Sequence, residues 1–313
     1  MTRIVTLARA LPLPRIEVNG QVIEFKPVSD VAEIPAGTQV HCTTSLDRLS
    51  AKDIASLPDS VGLIANIGVG VDNIDLCAAS ERGILVSNTP VVTEDTADLA
   101  FALILAGSRR VGEGERFLRS GSWAATSTSP PLGMRVHGKT LGLVGFGAIA
   151  QAVARRAKGF GMPVRYWNRT SRPEVGRAVG ATQVETLAEL FATCDIVSVH
   201  TALTPQTKNL IGAAELAAAR PNAVLVNTSR GGIVDEAALC DALENGPLAA
   251  AGLDVFEGEP NIYPRLLERE NVVLTPHIGS ATGECRADMV RRLLANLVSF
   301  FETGRPSDPV ETA

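Results

Sequence analysis

Between residues 140 and 275 the sequence turns apolar at six places, spaced about 20–30 residues apart, with Ala-, Leu- and Arg-rich stretches of helical character between them. The six are Thr140–Val144, Pro163–Trp167, Asp195–His200, Ala223–Asn227, Ala249–Asp254 and Asn271–Thr275. Most are apolar almost throughout rather than at alternate positions, the mark of strands covered on both faces. Strands of that kind alternating with helices predict a doubly wound parallel sheet.

The first 92 residues repeat the alternation more loosely. Ile4–Leu7, Thr38–Cys42, Leu63–Ile67 and Ile84–Ser87 read as strands, and Ala51–Ser56 and Ile74–Arg82 as helices. This pattern predicts a smaller flavodoxin-like α/β domain. Residues 93–118 read as one long helix, capped by Thr93, with an apolar face through Leu99, Leu103 and Leu105. The last helix, Cys285–Glu302, is expected to cross back to the first domain. The chain of 313 residues then divides into 1–92 with 284–313, and 93–283, two domains of ordinary size. The stretch Gly121–Gly133 carries neither pattern.

Residues 140–151, TLGLVGFGAIAQ, place Gly145, Gly147 and Ala150 between a strand and a helix. In this G-x-G-x-x-A setting, Gly145 permits the tight turn and Gly147 lets a pyrophosphate approach the backbone at the helix N-terminus. A lone glycine pattern is an ordinary βα turn, but the strand before it and the helix after it point to a dinucleotide-binding Rossmann domain. Where an NAD site normally carries Asp or Glu on the ribose, the second strand runs out into Asn168, Arg169, Thr170, Ser171 and Arg172. A carboxylate there repels a 2′-phosphate, whereas guanidinium and hydroxyl groups bind it. The charge argument therefore favours NADP(H), with NAD(H) as the alternative; the bland reading is that the arginines face solvent.

In such sheets ligands lie at the carboxyl ends of the strands. The fourth strand ends in NTSRGG with Arg230, the fifth in LDVFEGEP with Asp254 and Glu259, and the sixth in TPHIGSAT with His277. Singly these are a surface arginine, loop acids and a loop histidine. At three consecutive strand ends they form a cation, a carboxylate and an imidazole beside the cofactor. Of the four histidines, His41 reads as structural, His137 has no nearby acid in sequence, and His200 lines the cofactor site. His277 is the candidate acid.

Composition removes other classes. Lys and Arg total 29 against 34 Asp and Glu, a net charge of −5, so no basic footprint for nucleic acid or an anionic membrane exists. Cysteines 42, 77, 194, 240 and 285 are scattered without a CxxC pair, so neither a disulfide framework nor a structural metal site is expected. The N-terminal stretch is broken by Arg9, Pro12 and Pro14, and the apolar run Leu99–Ala106 is far shorter than the roughly 18–20 residues that span a bilayer. A small-molecule partner and a cytoplasmic setting are expected.

These residues carry a resemblance to the D-isomer-specific 2-hydroxyacid dehydrogenases. It rests on GVGVDNID (68–75), NTPVVTEDTADLA (88–100), GKTLGLVGFGAIA (138–150), HTALTPQTKNLIG (200–212), VNTSRGGIVDEAAL (226–239), LDVFEGEP (253–260) and TPHIGSAT (275–282). The resemblance implies that His277 is the acid/base paired with Glu259, and that Arg230 binds the substrate's carboxylate and keto oxygen. Val69 and Gly70 would offer backbone N–H groups to that carboxylate. Thr96 would lie near the nicotinamide, Asp254 would hold its carboxamide, and Ala148 and Ile149 would face the pyrophosphate. His200, Thr207, Thr228, Ser229, Gly279 and Ser280 would complete the cofactor site. A homodimer is implied as well.

Three positions depart from the family pattern: Ala150 where Gly is commoner, Ala202 where Pro or Cys is common, and the missing acid after the second strand. The last resembles the NADP-dependent glyoxylate/hydroxypyruvate reductases, making small 2-oxo and 2-hydroxy acids the expected substrates. Only 36 residues follow His277, short of a regulatory domain as in many phosphoglycerate dehydrogenases, and Glu259 stands where formate dehydrogenases have Gln. An NADH-linked D-lactate, branched 2-oxo acid or phosphoglycerate dehydrogenase, and a nucleotide-sensing scaffold like the corepressor relatives, are the rivals.

Overall fold

The computed structural model describes residues 3–124 and 129–311. The chain forms two units, Met1–Val92 with Ala281–Ala313, and Thr93–Ser280. In the first unit the strands are β1 (Arg3–Leu7), β2 (Glu17–Val18), β3 (Gln21–Pro27), β4 (Thr38–Thr44), β5 (Leu63–Ile67) and β6 (Leu85–Ser87). They lie in the order β2-β3-β1-β4-β5-β6, all parallel except for the short β2–β3 hairpin. Without β2 this is the flavodoxin-like order. The β2–β3 hairpin is an addition to the strands read from sequence, whose edge position leaves β3 half-exposed. One face of the sheet packs Val5, Val40, Leu63 and Ala65 against Leu293, Leu297 and Phe301 of the helix Gly283–Thr303. The other packs Ile54, Ile64, Ile74, Ala79 and Val86. Helix starts here are chemically specified: Ser50 and Asp53 form a reciprocal capping box, and Asp75 and Thr282 each accept from the backbone three residues on.

The second unit contains β7 (Leu141–Val144), β8 (Val164–Trp167), β9 (Ala181–Gln183), β10 (Ile196–Val199), β11 (Ala223–Asn227), β12 (Leu248–Leu253) and β13 (Val272–Leu274). The order β13-β12-β11-β10-β7-β8-β9 is wholly parallel and reverses direction between β7 and β10. That is the doubly wound Rossmann topology with its switch point beside β7. The six strands read from sequence are all present, and β9 is an extra short edge strand. Buried Leu141, Leu143, Ile196, Val224 and Val226 share one core with Ala97, Ala100, Ile104, Ala150 and Val153 of the covering helices.

The long helix expected over 93–118 is two helices, Thr93–Ser108 and Val111–Arg119, and Thr93 is its first residue rather than the cap before it. Arg110 sits at φ 54 in the left-handed region. The physical reason is a competitor for one carbonyl. The N–H of Met134 bonds the Ser108 oxygen at 2.7 Å, the acceptor that Gly112 needs to continue the helix. Gly133 lies so close that a Cβ there would fall 2.6 Å from the same oxygen. In the stretch Gly121–Gly133, Ser122–Ala124 forms a 3₁₀ turn, and 125–128 lie outside the described residues. No described helix is long and apolar enough to cross a membrane.

Candidate active site

The glycine loop follows β7 at the switch point. Gly145 has φ +87, and a Cβ there would lie 2.8 Å from the His200 carbonyl oxygen, so both conformation and space demand glycine. Gly147 caps the helix Ala148–Gly159 with no side-chain cap bond, and an added Cβ would meet nothing within 4 Å. The first turn, with Ala148 exposed and Ile149 half-buried, therefore presents backbone N–H groups to open space. Thr228, at the end of β11, has a buried Oγ1 with no partner among the described residues. An open anion-binding helix end and an orphaned hydroxyl suit a dinucleotide.

Asn168 has more to do than the sequence suggested. Its Oδ1 accepts from the Phe146 N–H (3.2 Å) and its Nδ2 donates to the Thr170 carbonyl (2.7 Å), tying the glycine loop to the loop after β8. Arg169, Thr170 and Arg172 are exposed there. His200 bonds the Ser198 hydroxyl at 2.8 Å, and burial pulls its pKa down to about 3, leaving it neutral. Thr207 spends its hydroxyl within its own turn, on the Ala202 carbonyl and the Thr204 N–H.

His277 follows β13. Its Nδ1 meets Glu259 Oε2 at 2.7 Å, both side chains partly exposed. Glu259 Oε1 accepts from the Phe256 N–H at 2.9 Å. Burial opposes ionisation of Glu259, but the bonds from His277 and Phe256, with the charges of His277 and Arg230, outweigh it and hold its pKa below the ordinary carboxylate value. His277 itself has φ 52, a strained conformation for a side chain carrying a ring. The strain is over-determined by Asp254, whose carbonyl takes the His277 N–H (2.9 Å). The Asp254 carboxylate, 1% exposed, accepts from Thr275 Oγ1 (2.6 Å), Ile278 N (2.8 Å) and Gly279 N (2.8 Å). Burial raises its pKa against the pull of those donors. Thr96 is buried beside Gly279 and Asp254, and Ser280 is half-buried just beyond.

Arg230 leaves β11 on a loop built by Asn227, whose Oδ1 accepts from the Ser229 N–H and hydroxyl while its Nδ2 donates to the Arg230 carbonyl. The next residue, Gly231, is pressed onto the Glu259 loop: a Cβ there would fall 1.9 Å from the Phe256 carbonyl carbon. Glu236 completes that loop by accepting from the Glu257 N–H at 2.7 Å. Thus Arg230, Glu259 and His277 are carried by neighbouring strand ends of one unit.

Val69 and Gly70 belong to the first unit, in the loop after β5, where Gly68 has φ +139. The Val69 carbonyl accepts from Asn88 Nδ2 and the Gly70 carbonyl from Asn66 Nδ2, while Thr89 holds the neighbouring Gly68. Sequence reasoning does not single out Asn66, Asn88, the bridging role of Asn168 or Glu236, although Asn88 and Glu236 lie inside the family motifs.

Fold and site together define a dinucleotide-linked oxidoreductase. The NAD-binding domain of the D-isomer specific 2-hydroxyacid dehydrogenases matches residues 101–279, and the chain belongs to that family. It is 43% identical over 318 residues to a glyoxylate reductase of Thermococcus litoralis, covering 98% of this chain and 96% of the relative. Among solved structures it resembles an NADPH-dependent glyoxylate/hydroxypyruvate reductase of Sinorhizobium meliloti, in complex with NADP and malonate. There the identity is 34% and the TM-score 0.88, over 100% of this chain and 98% of the other. It also resembles the D-mandelate dehydrogenase of Rhodotorula graminis, at 29% identity and TM-score 0.81, over 99% and 98%.

Proposed function

We propose that the protein reduces small 2-oxo acids, glyoxylate and hydroxypyruvate first among them, to 2-hydroxy acids, with NADPH preferred over NADH. The observation that carries the reading is the His277–Glu259 contact beside Arg230 at the strand ends next to the glycine loop. Gly145, Gly147, Ala148 and Ile149 would hold the pyrophosphate, and Thr96, Thr228, Ser229, Asp254, Gly279 and Ser280 would surround the nicotinamide half. When bound, the reduced nicotinamide supplies the hydride to the carbonyl carbon. Glu259 accepts from His277 Nδ1, which leaves Nε2 to deliver a proton to the carbonyl oxygen. Arg230 bonds the substrate carboxylate and polarises the carbonyl, stabilising charge that grows in the transition state. By the family resemblance, the Val69 and Gly70 N–H groups would bind the substrate carboxylate.

The NADPH preference rests on the exposed Arg169, Thr170 and Arg172 and on a strand end without a carboxylate. A cytoplasmic homodimer is the accompanying proposal, supported by the family resemblance. The test is oxidation of NADPH and of NADH against glyoxylate, hydroxypyruvate, pyruvate and a bulkier 2-oxo acid. Fast NADPH oxidation with the two named acids is expected. A strong NADH preference overturns the cofactor assignment, and no turnover despite NADPH binding overturns the reductase reading. His277→Ala should lower turnover about 10²-fold or more with NADPH affinity intact; wild-type turnover in that variant removes His277 from its role.

A further inference from the structure

The loop after β5 is held by three carbonyls in succession. The Gly68 carbonyl accepts from the Thr89 N–H at 3.0 Å, the Val69 carbonyl from Asn88 Nδ2 at 2.8 Å, and the Gly70 carbonyl from Asn66 Nδ2 at 2.7 Å. In a trans peptide the C=O and the following N–H point in opposite directions. Anchoring the Gly68 and Val69 carbonyls to residues 89 and 88 therefore turns the N–H groups of Val69 and Gly70 away from the segment 88–89. The Thr89 hydroxyl also accepts from the Gly68 N–H at 2.8 Å, which fixes the start of the loop. Gly68, at φ +139, supplies the conformation that lets successive carbonyls face the same anchors.

Asn88 is itself immobilised. Its carbonyl accepts from Asn296 Nδ2 at 2.9 Å, and its N–H reaches the Asp308 carbonyl at 3.3 Å. Asn296 is 1% exposed, and its Oδ1 accepts from the Asp308 N–H at 2.8 Å. Asn66, equally buried, has its Oδ1 held by Asn73 Nδ2 at 3.2 Å. The Asn88 backbone is thus fixed by the helix Gly283–Thr303 and the C-terminal segment, and the Asn66 amide by Asn73.

We propose that Asn88 is a positioning residue for substrate: with Thr89 and Asn66 it aims the Val69 and Gly70 N–H groups as a receptor for the carboxylate of the 2-oxo acid, which Asn88 does not itself touch. This rests on the reading of Val69 and Gly70 as carboxylate donors under the proposed function. Two converging N–H donors on an anion form a nest that neutral substrates do not exploit.

The test uses the full chain with Asn88→Ala and Asn88→Asp, the second nearly isosteric but lacking the donor for the Val69 carbonyl. KM for glyoxylate should rise about tenfold or more, kcat should move by less than about threefold, and NADPH affinity should stay as in the wild type. The preference for glyoxylate over its neutral methyl ester should narrow by a similar factor. An unchanged KM in a folded variant overturns the proposal. So does a KM rise equal for acid and ester, or one accompanied by lost NADPH binding, since either marks general loosening. If Asn88→Ala fails to fold, Asn88→Asp and the wild-type amide spectrum carry the test. In the wild type, glyoxylate should shift the Val69 and Gly70 amide resonances and Asn88→Asp should abolish those shifts; their absence in the wild type also overturns the proposal. These shifts are read without turnover, so an inactive wild type would refute the reductase function while the receptor is judged separately.

Discussion

His41 makes a quantitative prediction about acid. It lies in β4, 1% exposed, with its Nδ1 3.0 Å from the Thr6 hydroxyl. Burial lowers its pKa from 6.5 to about 4, with the Asp47 charge opposing only in part. Below pH 6.5 the unfolded chain's imidazole takes up a proton that the folded one refuses until about pH 4. The unfolded state therefore binds more protons across that window, and folding stability falls as pH is lowered through it. From pH 7 to pH 5 these two values imply a loss of about 2 kcal/mol from this one side chain. Denaturant unfolding followed by far-ultraviolet circular dichroism at both pH values measures it. His41→Gln should be less stable at pH 7 yet should lose about 2 kcal/mol less than the wild type on going to pH 5. Parallel losses in the two proteins would refute the reasoning. With four histidines in the chain, the His41 ring resonance can also be titrated directly and should stay neutral at pH 5.

Two further outcomes bear on the site. Glu259→Gln replaces the carboxylate that meets His277 Nδ1 with a neutral acceptor, so turnover should fall about tenfold or more with NADPH affinity unchanged; wild-type turnover in that variant would remove Glu259 from its role. Gly231→Ala places a methyl group 1.9 Å from the Phe256 carbonyl carbon, which forces the Arg230 and Glu259 loops apart. It should reduce kcat/KM by about 10²-fold or more while NADPH affinity changes little, and steady-state kinetics with a cofactor titration check both parts.

The parallel strands of the second unit were legible because they are buried on both faces, which forces apolar side chains at nearly every position; Ala223–Asn227 reads as it folds. The edge elements were not. β9 has three residues, and β3 has one buried position, Ile23, so neither offers a sustained apolar run. The break at Arg109–Arg110 was invisible because its cause, the Met134 N–H, comes from more than twenty residues away and acts on a backbone carbonyl. Strand-end logic picked out Arg230, Glu259 and His277, since a doubly wound sheet presents the loops at its carboxyl edge to the ligand. It does not reach groups whose work is to orient backbone. Asn88 and Asn168 look like neutral loop residues until their amide bonds to Val69, Phe146 and Thr170 are known.

The bonds from Asp254 have an evolutionary consequence. Because the buried Asp254 carboxylate grips the backbone N–H groups of Ile278 and Gly279, and the Asp254 backbone carbonyl grips that of His277, His277 is registered through its main chain rather than by the side chains next to it in sequence. Pro276 and Ile278 flank it with exposed side chains that take no part in that grip. Mutational drift at position 278 can therefore reshape what the imidazole meets without moving the imidazole, a route by which one reaction apparatus serves acids of different bulk.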